Sequence, residues 1–412
     1  MKTVGRVLGR IGLVALGLAL PLLVLEGGTR LMGTAPPAEP QPALWVPHPY
    51  LGWFHLPNQG GLSYSEYGEF QAPVHINARG LRDREIGYDN PADAYRILVL
   101  GDSFAEALQV PLEETFAKKL EALTTSDSRP VEVINAGVGG WGTDQEATFY
   151  MVEGFRYQPD VVLLSFFTHN DALNNYQPLE VARVHGAVKK PFFHLNDGQL
   201  VVPDFPFEAP PEADRASPPL LAGGNWMNDH SALYRLVMPY LREIPFILHA
   251  VGPSGLLGGM AAFVADDPAL PPSYFVYRAD SLPHWDEAWK LTAVIIQRLD
   301  AEVQERGGRL VVVIISAPEQ VYPNRWSAIL ARHPEMNDYG WDLEAPNRRM
   351  TAILDETNIP YLDLLPIFRT FAGQPDVPPL HFLHDGHWTP GGHQLAAEAI
   401  ASFLKTHNLL DQ

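Results

Sequence analysis

The sequence predicts an α/β domain that is built on a doubly wound parallel sheet. Short apolar and partly β-branched runs, such as residues 97–100 and 161–167, are typical of strands that are buried on both faces. Amphipathic helical segments lie between these runs, and the longest covers residues 284–306. This alternation predicts helices on both faces of the sheet and functional residues at the carboxyl ends of its strands.

The predicted elements follow one another from residue 95 onward. Strands are predicted over residues 96–100, 131–134, 161–167, 310–315 and 359–362. Helices are predicted around residues 112–123, after a capping box at residues 143–146, over 284–306 and 344–357, and from Thr389-Pro390 onward.

Three regions are predicted along the chain. Residues 1–33 form a signal anchor, residues 34–94 a proline-rich linker with an extension of short strands or irregular structure, and residues 95–412 the main domain. The main domain contains an insertion over residues 176–283, which at ~100 residues is too long for a plain loop. A hairpin at Asn196-Asp197-Gly198 and one helical segment around residues 230–248 are expected within it. We expect this insertion to form a cap or side lobe.

The N-terminal segment has the pattern of a secretion signal. Lys2, Arg6 and Arg10 precede an uncharged run over residues 11–25, and Glu26 ends that run. An uncleaved signal anchor is the preferred prediction because no small-x-small cleavage site follows, and a cleaved signal peptide is the alternative. Either prediction places the working domain in the periplasm or otherwise outside the cytoplasm. If the segment is an uncleaved anchor, its helix attaches the chain to the membrane, which is therefore a predicted partner.

Composition excludes several classes of function. The net charge of −19 disfavours nucleic acid and an anionic membrane surface as partners. The absence of cysteine excludes disulfides, a thiolate nucleophile, a cysteine-ligated metal and a lipoprotein anchor. Three histidines at three-residue spacing (His381, His384 and His387) are a weak metal signal, because no helix connects them. No metal or other cofactor is predicted.

Four short segments at or near strand ends carry candidate functional residues. They are Gly101-Asp102-Ser103, the glycine-rich turn at residues 135–143, Thr168-His169-Asn170-Asp171, and Asp385-Gly386-His387 before the last helix. Each segment alone also fits a turn or a helix cap. The glycine-rich turn lacks the lysine of a phosphate-binding loop and the spacing of a dinucleotide site.

Together the four segments resemble the SGNH (GDSL-like) hydrolase superfamily, in which Ser, Gly, Asn and His follow in this chain order. The resemblance covers roughly residues 95–175 and 285–408. It implies a three-layer, flavodoxin-like fold and serine esterase chemistry. The Asp-x-His-Trp-Thr form at residues 385–389 is similar to alginate and other polysaccharide O-acetyltransferases. Residues 76–83 and 317–322 look like parts of membrane-anchored bacterial members.

The resemblance implies roles for five residues. Ser103 would be the nucleophile, His387 the general base, and Asp385 the group that orients the imidazole. The oxyanion hole would consist of the backbone N–H groups of Ser103 and Gly140 and the side-chain amide of Asn170. Gly139 is an alternative to Gly140, because the glycine-rich turn carries an extra residue relative to the family pattern.

The predicted function is that of an exported serine esterase, which acts through an acyl-enzyme on Ser103. Its expected substrates are O-acyl (acetyl) esters of carbohydrates or of the cell envelope, or small esters. One alternative is a polysaccharide O-acyltransferase, which uses the same residues but passes the acyl group to a sugar hydroxyl. Another is a catalytically silent envelope scaffold, which the presence of all four segments disfavours.

Overall fold

The computed structural model describes residues 2–38, 41–126, 130–184, 188–208, 219–257, 270–280 and 282–410. Two residues of the predicted linker (Glu39 and Pro40) and parts of the predicted insertion (185–187, 209–218, 258–269 and 281) lie outside the described residues. The chain divides into two compact units. The smaller comprises Met1–Gln41, Tyr64–Gln71 and Asp214–Ala269, and the larger comprises Pro42–Ser63, Ala72–Ala213 and Leu270–Gln412.

The elements are numbered in chain order. The strands are β1 (Trp45–His48), β2 (Gly52–His55), β3 (Gly60–Tyr64), β4 (Gln71–His75), β5 (Tyr95–Gly101), β6 (Val131–Asn135), β7 (Val161–Phe167), β8 (His194–Asn196), β9 (Gln199–Val201), β10 (Arg309–Ile315) and β11 (Tyr361–Asp363). The α-helices are α1 (Lys2–Met32), α2 (Ser103–Glu106), α3 (Phe116–Thr124), α4 (Thr143–Val152), α5 (Asp171–Asn175), α6 (Gln177–Val184), α7 (Leu221–His230), α8 (Ala232–Arg242), α9 (Pro245–Val251), α10 (Pro283–Glu305), α11 (Pro318–Val321), α12 (Pro323–Arg332), α13 (Ala345–Thr357), α14 (Leu365–Ala372) and α15 (Pro390–Thr406).

A five-stranded parallel sheet with the strand order β11-β10-β7-β5-β6 lies at the centre of the larger unit. Every residue of β5 and β7 is buried. Side chains alternate between the two faces of a strand, so Ile97 and Val99 pack with α3 and α15, whereas Leu98 and Leu100 pack with α4 and α10. The α/β class and the parallel sheet are therefore confirmed, with helices on both faces.

One local prediction is wrong at the start of α4. The predicted capping box paired Thr143 with Glu146, but the N-cap residue is Gly142 and the side chain of Gln145 accepts from its backbone N–H at 3.3 Å. A Cβ at position 142 would lie 2.8 Å from the Cβ of Asn174, so α5 leaves room only for glycine there. Tertiary packing, rather than the local capping pattern, sets where this helix begins.

The smaller unit holds α1 and the helices α7, α8 and α9. The carboxylate of Glu26 in α1 accepts hydrogen bonds at the N-terminus of α8, from the Ser231 hydroxyl at 2.7 Å and from the backbone N–H groups of Ala232 and Leu233 at 3.0 and 2.9 Å. Helix α1 includes the apolar run that we predict to be a signal anchor. None of the helices in the described part of the chain combines the length and apolarity that crossing a membrane requires. The predicted signal anchor is not confirmed.

The predicted insertion is divided between the two units. Its hairpin is present as β8 and β9, and the turn residues Asp197 and Gly198 both have positive φ angles, 50° and 78°, as the predicted turn type requires. In the described part of the insertion, α6 lies at its start, and the single helical segment predicted around residues 230–248 is divided among α7, α8 and α9. A single cap formed by residues 176–283 is therefore not confirmed.

Candidate active site

Ser103 lies where the central strand β5 ends and the short helix α2 begins. A Cβ at position 101 would lie 2.8 Å from the Cβ of Ala105 and 2.9 Å from that of Ser165, so this turn requires glycine. The carboxylate of Asp102 caps α2 by accepting the backbone N–H of Phe104 at 2.9 Å. The segment thus forms a helix cap, as one interpretation of the sequence predicts, and it also holds a partly exposed serine at the carboxyl edge of the sheet.

His387 connects Ser103 to Asp385. Its Nε2 atom lies 2.8 Å from the Oγ of Ser103, and its Nδ1 atom lies 2.8 Å from Oδ1 of Asp385. An aspartate that accepts from Nδ1–H leaves the Nε2 lone pair to accept the serine proton, and this arrangement makes a serine hydroxyl nucleophilic. The side chains of His387 and Asp385 are 24% and 23% exposed, so the series of hydrogen bonds reaches solvent.

The one-residue spacing between Asp385 and His387 depends on Gly386. This glycine has φ +84°, a left-handed conformation that costs other residues energy. The turn that it allows lets Oδ1 of Asp385 accept both the Nδ1–H and the backbone N–H of His387, the latter at 3.2 Å. The carbonyl group of His387 in turn accepts from the backbone N–H of Phe382 at 2.9 Å, which holds the loop together.

The electrostatic surroundings of His387 favour its protonated form. Burial alone would lower the pKa of the imidazole, but the hydrogen bond to Asp385 and the negative charges of Asp385, Asp102 and Glu106 outweigh it, so the pKa is raised above 6.5. A general base acts only when it is unprotonated. The activity that depends on His387 is therefore expected to appear at a higher pH than for an unperturbed histidine.

We expect kcat/KM for a small ester to fall as the pH is lowered through the raised pKa of His387. The midpoint of this acidic limb should lie above 6.5, because the raised pKa keeps the base protonated to a higher pH. A pH profile of 4-nitrophenyl acetate hydrolysis measures this midpoint directly. A midpoint clearly below 6.5, with the protein still folded, would contradict the assignment of His387 as the base.

Asn170 and Asp102 lie on the other side of Ser103. The side-chain amide nitrogen of Asn170 is 3.4 Å from Oδ2 of Asp102, and the Oδ1 atom of Asn170 is buried without a partner among the described residues. Burial raises the pKa of the fully buried Asp102 carboxyl to about 6, partly offset by the hydrogen bond from the N–H of Phe104. Asp102 thus orients the amide of Asn170 and leaves the second amide hydrogen available to a ligand.

The glycine-rich turn after β6 lies beside α2. Gly140 has φ +78°, and a Cβ at Gly139 would lie 2.7 Å from Oε2 of Glu106 in α2. Within the described ranges, no hydrogen-bond partner is found for the backbone N–H of Ser103 or of Gly140. Unpaired N–H groups near a nucleophile are the donors that an oxyanion hole requires. The backbone N–H of Gly139 also has no partner among the described residues, so Gly140 and its alternative Gly139 both stay predictions for this role. The carbonyl group of Gly139 accepts from the indole N–H of Trp53 at 3.0 Å.

Residues 42–63 also contribute to this site, which the sequence patterns did not predict. In β2, the Nε2 atom of His55 lies 2.6 Å from Oε1 of Glu106, and both side chains are almost fully buried. The indole N–H of Trp45 donates to the same oxygen at 3.0 Å. These contacts hold Glu106 against the glycine-rich turn. The aromatic residues and histidines between residues 45 and 55 were the available signal, but no local pattern links them to residue 106.

The three histidines of the weak metal signal have different surroundings. His387 belongs to the series described above, and burial lowers the pKa of His381 to about 3. Among the described residues, no group of three or more histidine, aspartate or glutamate side chains is arranged to hold a metal ion.

Comparison with known proteins identifies a related family. Residues 275–412, about a third of the chain, match the family model described as "SGNH hydrolase-like domain, acetyltransferase AlgX". The matched segment contains Asp385 and His387, whereas Ser103, Gly140 and Asn170 precede it. Among curated proteins, none matches the chain in sequence.

Several solved structures match the chain at low identity and low TM-score. TesA is 13% identical with a TM-score of 0.35, and the alignment covers 76% of this chain and 98% of that chain. The psychrotrophic esterase EstA from Pseudoalteromonas sp. is 12% identical with a TM-score of 0.36, at 76% and 98% coverage. A mutant of Axe2, an acetyl-xylooligosaccharide esterase from Geobacillus, is 11% identical with a TM-score of 0.36, at 76% and 96% coverage. Values this low identify neither a shared activity nor a shared substrate.

The family match includes one of the four segments that carry the predicted functional residues. It covers the Asp-x-His segment, the last of the four along the chain. The predicted resemblance to the SGNH hydrolases is therefore confirmed, and the matched segment supports an enzyme that is either a carboxylic ester hydrolase or an O-acyltransferase.

Proposed function

We propose that the chain is an exported serine esterase that acts on O-acyl, chiefly acetyl, esters of carbohydrates through an acyl-enzyme on Ser103. The observation that carries this proposal is the continuous series of hydrogen bonds Ser103–His387–Asp385, with both donor–acceptor distances at 2.8 Å. The acetyl part is supported by the family match, whose description names an acetyltransferase. The carbohydrate part is supported by the similarity of residues 385–389 to polysaccharide O-acetyltransferases. Export is supported by the basic and apolar pattern of residues 2–25.

The reaction has two half-reactions with the same groups. The Ser103 hydroxyl oxygen attacks the acyl carbonyl carbon while Nε2 of His387 takes its proton, and the oxyanion faces the N–H groups of Ser103 and Gly140 and the amide of Asn170. The sugar oxygen then leaves with the proton from His387, and the acyl group stays on Ser103. Water next gives a proton to Nε2 of His387 and attacks the acyl carbon. The bond between this carbon and the Ser103 oxygen then breaks, His387 returns the proton to that oxygen, and the acid is released.

The same site would support an O-acyltransferase if a sugar hydroxyl, rather than water, attacked the acyl-enzyme. The family description favours this second candidate, because it names an acetyltransferase. The two reactions differ only in which acceptor reaches the acyl carbon while His387 is unprotonated. The distinction therefore depends on acceptor binding and not on the serine, histidine and aspartate themselves.

The acceptor is tested by giving the purified full chain 4-nitrophenyl acetate with and without a soluble xylan or mannan. For an esterase, released acetate accounts for the donor consumed in both cases. Mass spectrometry that finds acetylated sugar forming faster than acetate would replace the esterase by the transferase. Absence of turnover with any ester, in a folded protein, would favour the catalytically silent scaffold.

A further inference from the structure

Beside the proposed catalytic residues lies a polar cluster that the reaction does not use. Nδ1 of His169 is 3.1 Å from Oε1 of Glu319 and 3.2 Å from the hydroxyl oxygen of Tyr277, and that hydroxyl donates to Oε1 of Glu319 at 3.0 Å. Glu319 and Tyr277 are buried, whereas the His169 side chain is 20% exposed. One edge of the His169 imidazole therefore contacts the buried carboxylate of Glu319, and the rest of the ring is partly exposed to solvent.

The cluster is adjacent to the proposed catalytic residues through two paths. Along the chain, His169 directly precedes Asn170 of the predicted oxyanion hole. Across the structure, the rings of His387 and Phe104 are 4.9 Å apart, those of Phe104 and Phe167 are 4.5 Å apart, and those of Phe167 and His169 are 5.9 Å apart. The ring of His169 is therefore connected to the ring of His387 through Phe167 and Phe104, and His169 adjoins the predicted oxyanion hole along the chain.

The buried carboxylate fixes which nitrogen of His169 faces a ligand. Burial alone would raise the pKa of Glu319, but the charge of His169 and its hydrogen bond outweigh it, so the pKa is lowered and Glu319 stays ionised. An ionised carboxylate needs a donor, so the Nδ1 atom of His169 carries hydrogen. No partner for the Nε2 atom is found among the described residues, and this nitrogen is left to bond a hydroxyl group from outside.

Aromatic rings surround the imidazole. The ring of Tyr274 lies 5.8 Å and that of Tyr277 lies 5.9 Å from the ring of His169, and Trp326 lies 6.2 and 5.7 Å from these two tyrosine rings. Tyr277 is buried beneath, while Tyr274 and Trp326 remain partly exposed. Partly exposed aromatic faces beside a fixed hydrogen-bonding group suit a ligand that has apolar ring faces and hydroxyl edges.

A purely structural role for the His169–Glu319 pair is already filled by other contacts. The loop after β7 and helix α11 are joined by the hydroxyl of Thr168, which donates to Oε1 of Gln320 at 2.8 Å, and Gln320 in turn donates to Oδ1 of Asn347 in α13 at 2.7 Å. These buried neutral hydrogen bonds connect the same elements without the cost of a buried carboxylate. Joining these elements therefore does not explain why the chain places His169 against a buried carboxylate at Glu319.

We propose that His169, held by Glu319 and Tyr277, forms a carbohydrate subsite with Tyr274 and Trp326 next to the catalytic centre. The subsite binds a neutral sugar ring, because the net charge of −19 and the carboxylate of Glu319 disfavour an anionic sugar. The inference rests on the proposed function and deepens it by assigning the residues that hold the sugar. The ring stacks on Trp326 or Tyr274, and one hydroxyl group bonds Nε2 of His169.

The subsite is tested by calorimetric titration of full-length Ser103→Ala protein with xylopentaose and mannopentaose, because this background binds without turnover. Adding Trp326→Ala or His169→Gln to this background is expected to weaken sugar binding by at least about fivefold, because each substitution removes one stacking or hydrogen-bonding contact. The matched control is Trp226→Ala, which removes a 58% exposed tryptophan in α7 and should leave the affinity unchanged. Circular dichroism checks that each variant is folded, and the two subsite variants test the proposal separately.

Each outcome separates this proposal from the proposed function. Equal affinity of the folded subsite variants and the Ser103→Ala protein, or preference for an oligouronate over both neutral sugars, would overturn the subsite. Neutral-sugar binding that depends on Trp326 and His169, in a protein that turns over no ester, would support the subsite and reject the esterase. Turnover of 4-nitrophenyl acetate without any sugar binding would support the serine chemistry and reject the subsite.

Discussion

Ser103→Ala is expected to abolish covalent labelling by a fluorophosphonate and to lower kcat for a small ester by roughly 10⁴–10⁶-fold. The reason is that alanine removes the hydroxyl oxygen that lies 2.8 Å from Nε2 of His387 and would attack the acyl carbon. The oxyanion donors stay in place, so a weak residual rate remains. Gel fluorescence after labelling and the rate of 4-nitrophenyl acetate hydrolysis measure the two effects.

The matched control for this change is Ser327→Ala, which removes the hydroxyl of an exposed serine in α12. The Ser327→Ala protein should be labelled by the fluorophosphonate and should hydrolyse the ester as the unchanged chain does. Labelling that persists in the Ser103→Ala protein would show a different nucleophile, and this result would also remove the basis for the acyl-enzyme.

Asp385→Asn is expected to lower kcat by about 10⁴-fold while the protein stays folded. Asparagine fits the same space but lacks the negative charge that stabilises the imidazolium, and its amide favours the wrong tautomer of His387. The same loss of charge and hydrogen bonding removes the contributions of Asp385 that raise the pKa of His387, so the acidic limb should move to lower pH. The kcat and the pH profile are measured together.

The control is Asp338→Asn at an exposed position of the same unit, which should change neither quantity. A kcat for Asp385→Asn within tenfold of the unchanged chain would mean that another acid, or none, supports His387. A large loss of kcat without a shift of the acidic limb would point to a structural effect of the substitution instead.

Much of the larger unit is predictable from local sequence patterns. The predicted strands at residues 96–100 and 161–167 agree with β5 and β7 to within one residue, because β-branched apolar runs bounded by turns leave few alternatives. The capping box at residues 143–146 was misplaced by one residue. Its pattern is local, but contact with Asn174 decides the N-cap.

The candidate site was likewise predictable from local sequence patterns only in part. Sequence reasoning selected Ser103, His387 and Asp385, and the structure brings them within hydrogen-bond distance, although their catalytic roles stay a prediction. The resemblance implied that Asp385 is the partner of His387, but it did not show how a spacing of two positions brings the carboxylate to the imidazole. The left-handed conformation of Gly386 explains this contact, and a sequence pattern does not state a φ angle.

By itself the sequence determined the α/β class, the order of the elements along the chain and the short list of residues at the strand ends. These properties follow from periodicity and turn chemistry, which act over a few residues. Tertiary structure alone decided that His387, 284 positions away, reaches Ser103 and that His55, 51 positions away, pairs with Glu106. It likewise decided the pairing of His169 with Glu319. Contacts over such separations depend on strand order and on the space left between packed elements, and no local pattern encodes either.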